Sequence, residues 1–278
     1  MIKAFAPGNI SCVFVICKNK NPKKMGSLGV GITVNKGVVV SVRKAKKTKI
    51  QVNGKNIYFP TVLDVIKNLA RGQVNILIKP QLPFGCGFGM SGASALATAY
   101  ALNQLFNLKK SKKELAMVAH VAEVKNKTGL GDIAGQYKGG VCIKDKKGNP
   151  IDAERLDIKD NFVYYKVFSP LNTKKIIGNS RIEKKINSAG LKALGKIKTI
   201  KNQKRLTLGK IIKISKDFSI ESGLLVNRKV KKAIAEIEKK KNFASMIMLG
   251  NAVYSNRLFP GSKRLKITRK GAFLVNGP

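Results

Sequence analysis

Residues 82–96 read Leu82-Pro-Phe-Gly-Cys-Gly-Phe-Gly-Met-Ser-Gly-Ala-Ser-Ala-Leu96, three alternating glycines running into an alanine-rich stretch. The segment before it, 74–78, is short, apolar and β-branched. After it, residues 93–106 carry Leu96, Ala99, Leu102 and Phe106 at a helical period. The order is therefore strand, glycine loop, helix. Gly85, Gly87 and Gly89 permit positive φ and close approach of main chain to a ligand. The helix that follows aims unpaired N–H groups and the positive end of its dipole at the loop. That makes an anion site, most naturally for phosphate. A tight turn without a ligand is the plain alternative.

Two familiar phosphate loops are excluded by context. Gly87-Phe-Gly89-Met-Ser-Gly92 matches G-x-G-x-x-G, but a dinucleotide fold should follow its helix with a second strand ending in an acid about 20 residues on. Here the helix runs into Lys109-Lys-Ser-Lys-Lys-Glu114 and then a second helix over about 115–124. A Walker A loop is excluded because no Gly-Lys-Ser/Thr closes the segment.

On that second helix, Leu115, Val118, Ala119 and Ala122 share one face, and the spacing of His120 and Glu123 lets both look toward a neighbouring loop. The loop is 127–140, with glycines at 129, 131, 135, 139 and 140, too dense for an ordinary helix. Asp132 lies among them. A lone acid in such a loop can be a turn or cap residue, but a second acid, Glu123, precedes it. Phosphoryl transfer uses such a pair, one carboxylate near Mg²⁺ and one to orient or deprotonate an alcohol. His120 is the only histidine, so a histidine metal site is weak, and no nucleophile elbow supports a hydrolase triad.

The chain has 278 residues, enough for one large or two modest domains. No apolar run approaches the length of a membrane span, and residues 1–8 are too soon interrupted for a signal peptide, so a cytoplasmic protein with no membrane partner is expected. Cys12, Cys17, Cys86 and Cys142 form no C-x-x-C pair and read as buried free thiols. The net charge of +41 raises a nucleic-acid reading. Only nine of the 55 cationic residues are Arg, and no aromatic ladder interleaves with the Lys runs. A solvated Lys-rich surface with no specific nucleic-acid partner is the expectation, in a field that favours small anionic substrates.

The first quarter reads as sheet. Residues 2–6 form a strand broken at Pro7-Gly8, 29–43 form two strands turning at Asn35-Lys-Gly37, and a hairpin spans 47–59 with Asn53-Gly54 at its tip. A short helix over 60–70 follows, with Thr61 as its candidate cap. Strands are expected at 141–144 and 162–168, helices at 180–197, 207–221 and 227–240, and final strands at 263–268 and 272–275. A change of domain is placed near residue 160. The fold class is α+β in two parts, 1–160 strand-rich with the phosphate loop and 161–278 strands plus helices.

Three segments resemble the motifs of the GHMP kinases, and most closely the archaeal pantoate kinase branch. These are Pro7-Gly-Asn-Ile-Ser11, Pro83-Phe-Gly-Cys-Gly-Phe-Gly-Met-Ser-Gly-Ala93 and Met248-Leu-Gly-Asn-Ala-Val253, with Glu123 and Thr128-Gly-Leu-Gly-Asp-Ile-Ala-Gly-Gln136 pointing to the branch. The resemblance implies ATP between two α+β domains, its phosphates over Pro83, Gly85, Gly87, Phe88, Gly89, Met90, Ser91, Gly92 and Ala93. It implies Ser91 and Glu123 near Mg²⁺, Asp132 at the acceptor hydroxyl, and Asn9, Gln136, Gly250 and Asn251 near substrate or phosphates. The reaction it implies is transfer to the primary hydroxyl of pantoate, giving 4-phosphopantoate for coenzyme A. Several relatives carry Lys or Arg where this chain has Asn9, and the usual Gly-Ser-Ser-Ala is Gly89-Met-Ser-Gly-Ala93 here. Both departures count against a galactokinase or mevalonate kinase. The alternatives are another GHMP small-molecule kinase of homoserine or mevalonate type, and a non-enzymatic RNA-binding protein, which would have no need of a glycine loop beside an acidic pair. A homodimer is left open.

Overall fold

The computed structural model describes residues 1–171 and 180–275. Two long antiparallel strands, β1 (Ile2–Cys17) and β2 (Gly26–Lys44), form the spine of the first sheet. The short hairpin β3 (Lys49–Val52) and β4 (Lys55–Asn56) turns at Asn53 and Gly54, both at positive φ as such a turn requires. Helix α1 (Pro60–Leu69) leads to β5 (Val74–Pro80), which pairs with β2 and, in parallel, with β3. Then come α2 (Met90–Leu105), α3 (Lys112–Lys125), α4 (Asp132–Lys138), β6 (Val141–Lys144) and β7 (Glu154–Leu156).

The second sheet, in the order β11-β8-β10-β9, is built from β8 (Phe162–Ser169), β9 (Ala244–Met246), β10 (Asn251–Ser255) and β11 (Lys263–Lys266). Helices α6 (Leu208–Glu221) and α7 (Arg228–Lys239) pack on it, α5 (Ser180–Asn202) packs on α6, and α5 and α6 also pack on β1. The change of sheet falls between Leu156 and Phe162. The last strand, β12 (Phe273–Val275), returns to pair with β1. The architecture is α+β, as expected.

Five expectations are corrected. β1 does not break at Pro7-Gly8, and β2 does not turn at 35–37. Pro7 pairs with Gly37 and Gly8 with Val34, so Asn35 and Lys36 are extra residues in a bulge. A bulge tolerates the proline and bends the strand at that point. Residues 132–138 are helical despite Gly135. A Cβ there would stand 2.5 Å from Asn9 Oδ1, so the glycine is required by a neighbour, not by the backbone. His120 and Glu123 do not face one loop together: His120 Nε2 lies 2.8 Å from Met25 O, whereas Glu123 turns to Thr128. Thr61 is not the α1 cap; Phe59 holds that position and Thr61 is buried.

Helix α2 is buried on nearly all sides, which its run of alanines permits against β1, β2, α1 and α3. Cys12, Cys86 and Cys142 are buried free thiols and Cys17 is half-buried. No described helix is long and apolar enough to cross a membrane.

Candidate active site

The glycine loop takes the backbone the sequence asks for. Gly85, Gly87 and Gly89 have φ of +71°, +81° and +63°, and Gly89 is the residue preceding α2. A Cβ on Gly87 would lie 2.6 Å from both Ile247 Cγ2 and Met248 O, and one on Gly250 would lie 2.3 Å from Cys86 O. The segment after β9 therefore braces the loop from behind. Leu249 between them is held at φ +61°, a strained value for a side chain of this kind. No side chain caps α2 and no acid sits in its first turn. Helix α3, by contrast, is closed by a Ser111–Glu114 capping box. The first N–H groups of α2 are left for an external anion.

Two carboxylates, the buried Glu123 and the half-buried Asp132, converge on that helix end. Asp132, the first residue of α4, accepts from Asn9 Nδ2 at 2.9 Å and Ser11 Oγ at 3.1 Å, both on its Oδ1. Cβ atoms placed on Gly89 and Gly129 would stand 2.9 Å from its Cγ and 3.6 Å from its Oδ2. Burial raises its pKa, and the two donors pull it back down. No cation contributes to that balance: Asn9 lowers the basicity of the carboxylate only as a neutral donor, without the charge that Lys or Arg at this position would add. Gly31 and Gly135 clear the space that the Asn9 amide occupies.

Glu123 is buried with its pKa pushed up to about 7, chiefly by desolvation, with hydrogen bonds from Thr128 and Ser91 opposing and the charge of Asp132 adding. Thr128 Oγ1 lies 2.6 Å from its Oε1. Its Oε2 would be 2.2 Å from a Cβ on Gly129 and 3.0 Å from one on Gly92. A hydroxyl chain runs from Ser91 through Thr61 to Thr128, with steps of 3.4 and 3.1 Å.

The other predicted residues divide into three groups. Phe88, Met90 and Ala93 are buried and offer backbone, not side chains, to a ligand; Phe88 packs edge-on against Tyr165 and its carbonyl accepts from Asn9 N. Pro83 stands at the start of the loop and Ser91 in the first turn of α2. Gln136 donates to Gly89 O at 2.7 Å, tying α4 to the loop, while its Oε1 is buried without a protein partner. Gly250 reaches the loop, whereas Asn251 turns away to Ser169 Oγ at 2.9 Å.

Several residues not predicted as site residues stand here too: Ser11 on Asp132, Thr61 and Thr128 in the hydroxyl chain, and Ser27 with Lys144 in a cavity behind Asn9 and Ser11. Lys144 is the one cation among the residues lining that cavity, and burial lowers its pKa. Asn9 Oδ1 is buried with no donor. Among the described residues no group of three or more His, Cys, Asp or Glu could hold a metal ion. A divalent cation at Glu123 would need oxygens from a bound phosphate to complete its shell, which is how Mg²⁺ commonly binds.

Comparison with known proteins agrees with this geometry. Residues 58–140 match the model of the GHMP kinases N terminal domain. The chain is 36% identical over 255 residues to a pantoate kinase of Methanocaldococcus jannaschii, covering 90% of each chain. It is 30% identical over 265 residues to a pantoate kinase of Methanospirillum hungatei, covering 91% of this chain and 86% of that one. A solved structure described as a phosphotransferase related to the CoA biosynthesis pathway superposes with a TM-score of 0.83 at 26% identity, covering 99% of this chain and 98% of the other. The chain belongs to the GHMP kinase family.

Proposed function

We propose that the protein transfers the γ-phosphoryl group of ATP to the primary hydroxyl of pantoate. The observation that carries the transfer chemistry is the meeting of two carboxylates, one buried and one half-buried, with an uncapped helix N-terminus behind a glycine loop. The choice of acceptor rests on similarity to pantoate kinases across nine-tenths of the chain.

In this reading the backbone N–H groups of residues 87–92 hold the phosphates and stabilise the charge that develops on them. Mg²⁺ would be held by Glu123 and Ser91 and would neutralise charge on the phosphoryl oxygens. A cation held there would favour the ionised form of Glu123, whose pKa burial pushes up to about 7. Asp132, fixed through Oδ1 by Asn9 and Ser11, presents Oδ2 to the acceptor hydroxyl and takes its proton as the bond to phosphorus forms. Gln136 fixes Gly89, and with it the left-handed turn that starts α2. The acceptor's reacting hydroxyl stays at Asp132 Oδ2, and its other end extends past Asn9 into the cavity lined by Ser27 and Lys144. There Lys144 meets its carboxylate, and Asn9 Oδ1, which lacks a donor, accepts from its second hydroxyl. Gly250 supports the loop and Asn251 braces β10 against β8.

The test is ATP-dependent turnover on pantoate, homoserine, mevalonate, phosphomevalonate and galactose with Mg²⁺ at moderate salt. Turnover confined to pantoate is expected, and Lys144→Met should raise the KM for pantoate more than tenfold with the KM for ATP unchanged. Turnover on homoserine or mevalonate in place of pantoate overturns the choice of acceptor. Absence of ATP binding together with tight, salt-sensitive RNA binding overturns the enzyme reading.

A further inference from the structure

Outside the acceptor cavity lies a groove of about 840 Å³ between the far ends of β1 and β2, the loop joining them, the 147–150 turn and α5. It shares Ser27 and Lys144 with the cavity, so the two adjoin at these residues. Four further lysines line it, Lys18, Lys23, Lys24 and Lys147, and among its described lining residues there is no carboxylate. On a chain this basic a lysine-lined groove is unremarkable by itself. The absence of acids is the distinguishing feature. The groove between α5 and α6 contains Asp217, the one by β7 and β11 contains Asp157 and Asp160, and the one beside α7 contains Glu236. Those grooves have a carboxylate among their lining residues; here Lys18 pairs with Glu183 of α5, outside the lining, and Lys23, Lys24 and Lys147 are left without an ion pair among the described residues.

The arrangement around Asp132 gives the groove a direction. Two neighbours meet this carboxylate: Gly89 of the loop, where a Cβ would stand 2.9 Å from its Cγ, and Asn9, which donates to its Oδ1 and lines the cavity with Ser27 and Lys144. A nucleotide held on the loop side leaves the groove as the open approach to the cavity. His120 holds the loop that carries Lys23 and Lys24, through its contact with Met25 O.

We propose that this groove is the entry vestibule for the anionic acceptor: its lysines concentrate a small carboxylate at the mouth of the cavity and pass it to Lys144. The inference rests on the proposed kinase reading and adds the route and the residues that set acceptor capture. A cleft lined by one sign of charge, with low-dielectric walls, raises the local concentration of the opposite ion by about tenfold or more, and does so less as salt rises. The phosphorylated product carries more negative charge than the acceptor, so the same lysines retain it, and product inhibition should weaken with salt.

The test is a triple variant, Lys23→Gln with Lys24→Gln and Lys147→Gln, beside a control of equal charge loss on other faces, Lys196→Gln with Lys213→Gln and Lys231→Gln. Steady-state kinetics and direct calorimetric binding of pantoate are measured at low and high salt. The groove variant should show kcat/KM for pantoate lowered about threefold to tenfold at low salt, a flattened salt dependence, weaker pantoate binding, and an unchanged KM for ATP. The control should match wild type. A groove variant that keeps the wild-type pantoate KM and salt slope, or a control that loses as much, overturns the vestibule while leaving the kinase reading intact. A wild type that binds pantoate through these lysines without phosphorylating it overturns the kinase reading and supports the vestibule. A wild type that neither binds nor phosphorylates pantoate overturns both.

Discussion

Replacing Glu123 by Gln should make the folded protein more stable at pH 8 and leave it nearly unchanged at pH 5. The buried carboxyl titrates at about 7 against an ordinary 4.5, with desolvation as the main cause and Asp132 adding to it. Between those two values the folded state holds a proton that the unfolded chain has released, so stability falls as pH rises through the window and stays lower above it. At about 1.4 kcal/mol per pH unit, the gap corresponds to about 3 kcal/mol. Glutamine keeps the oxygen that accepts from Thr128 Oγ1 and carries no charge to desolvate. Urea denaturation at pH 5 and pH 8 should place the variant within about 1 kcal/mol of wild type at the lower pH and about 2–3 kcal/mol above it at the higher. An equal difference at both pH values, or a wild type that gains on the variant as pH rises, would refute the assignment of a strained, ionisable Glu123. The same variant should lose most Mg²⁺-dependent turnover, since the strain is retained for the cation.

Other substitutions separate the braced glycines from the merely flexible ones. Gly87→Ala combines φ of +81° with a contact 2.6 Å from Met248 O and should cost more than about 2 kcal/mol and weaken nucleotide binding; Gly54→Ala, at φ +82° in open space, should cost about 1 kcal/mol and leave kinetics alone. Thermal melts and ATP titration compare the two directly. Ser111→Ala removes the capping box of α3, remote from the loop, and should lower stability by about 1 kcal/mol with no change in kcat.

The part of the site that lies in one stretch of chain is legible in the sequence alone. Three alternating glycines between a strand and an alanine-rich helix determine a phosphate loop locally, and the loop has the positive φ values that pattern requires. The pairing of Glu123 with Asp132 can also be read there, because both lie within one short segment. What the sequence hides depends on neighbours distant along the chain. Whether Pro7-Gly8 breaks a strand depends on which residues of β2 stand opposite, and there Asn35 and Lys36 form a bulge instead of a turn. Gly135 looks like a helix breaker until Asn9 is brought against it. Lys144 is one of 55 cations, and only its half-buried place in the lining of the cavity that Asn9 and Ser11 also line, its Nζ held by Lys146 O and Asn149 O, sets it apart. Thr61 looks like a cap in the sequence, and its hydroxyl is instead given to the Ser91–Thr128 chain.

The most direct measurement is ³¹P NMR of pantoate with ATP and Mg²⁺, run side by side with wild type and Asp132→Asn, with ATP affinity of both measured separately. The account predicts a phosphomonoester on the primary hydroxyl of pantoate with wild type. It predicts a rate lower by about 10²–10⁴ with the variant, and ATP affinities within about threefold of each other, since the role proposed for Asp132 is at the acceptor hydroxyl. Phosphoryl transfer at a near-normal rate by Asp132→Asn, or no transfer to pantoate by a wild-type protein that binds ATP, would contradict it.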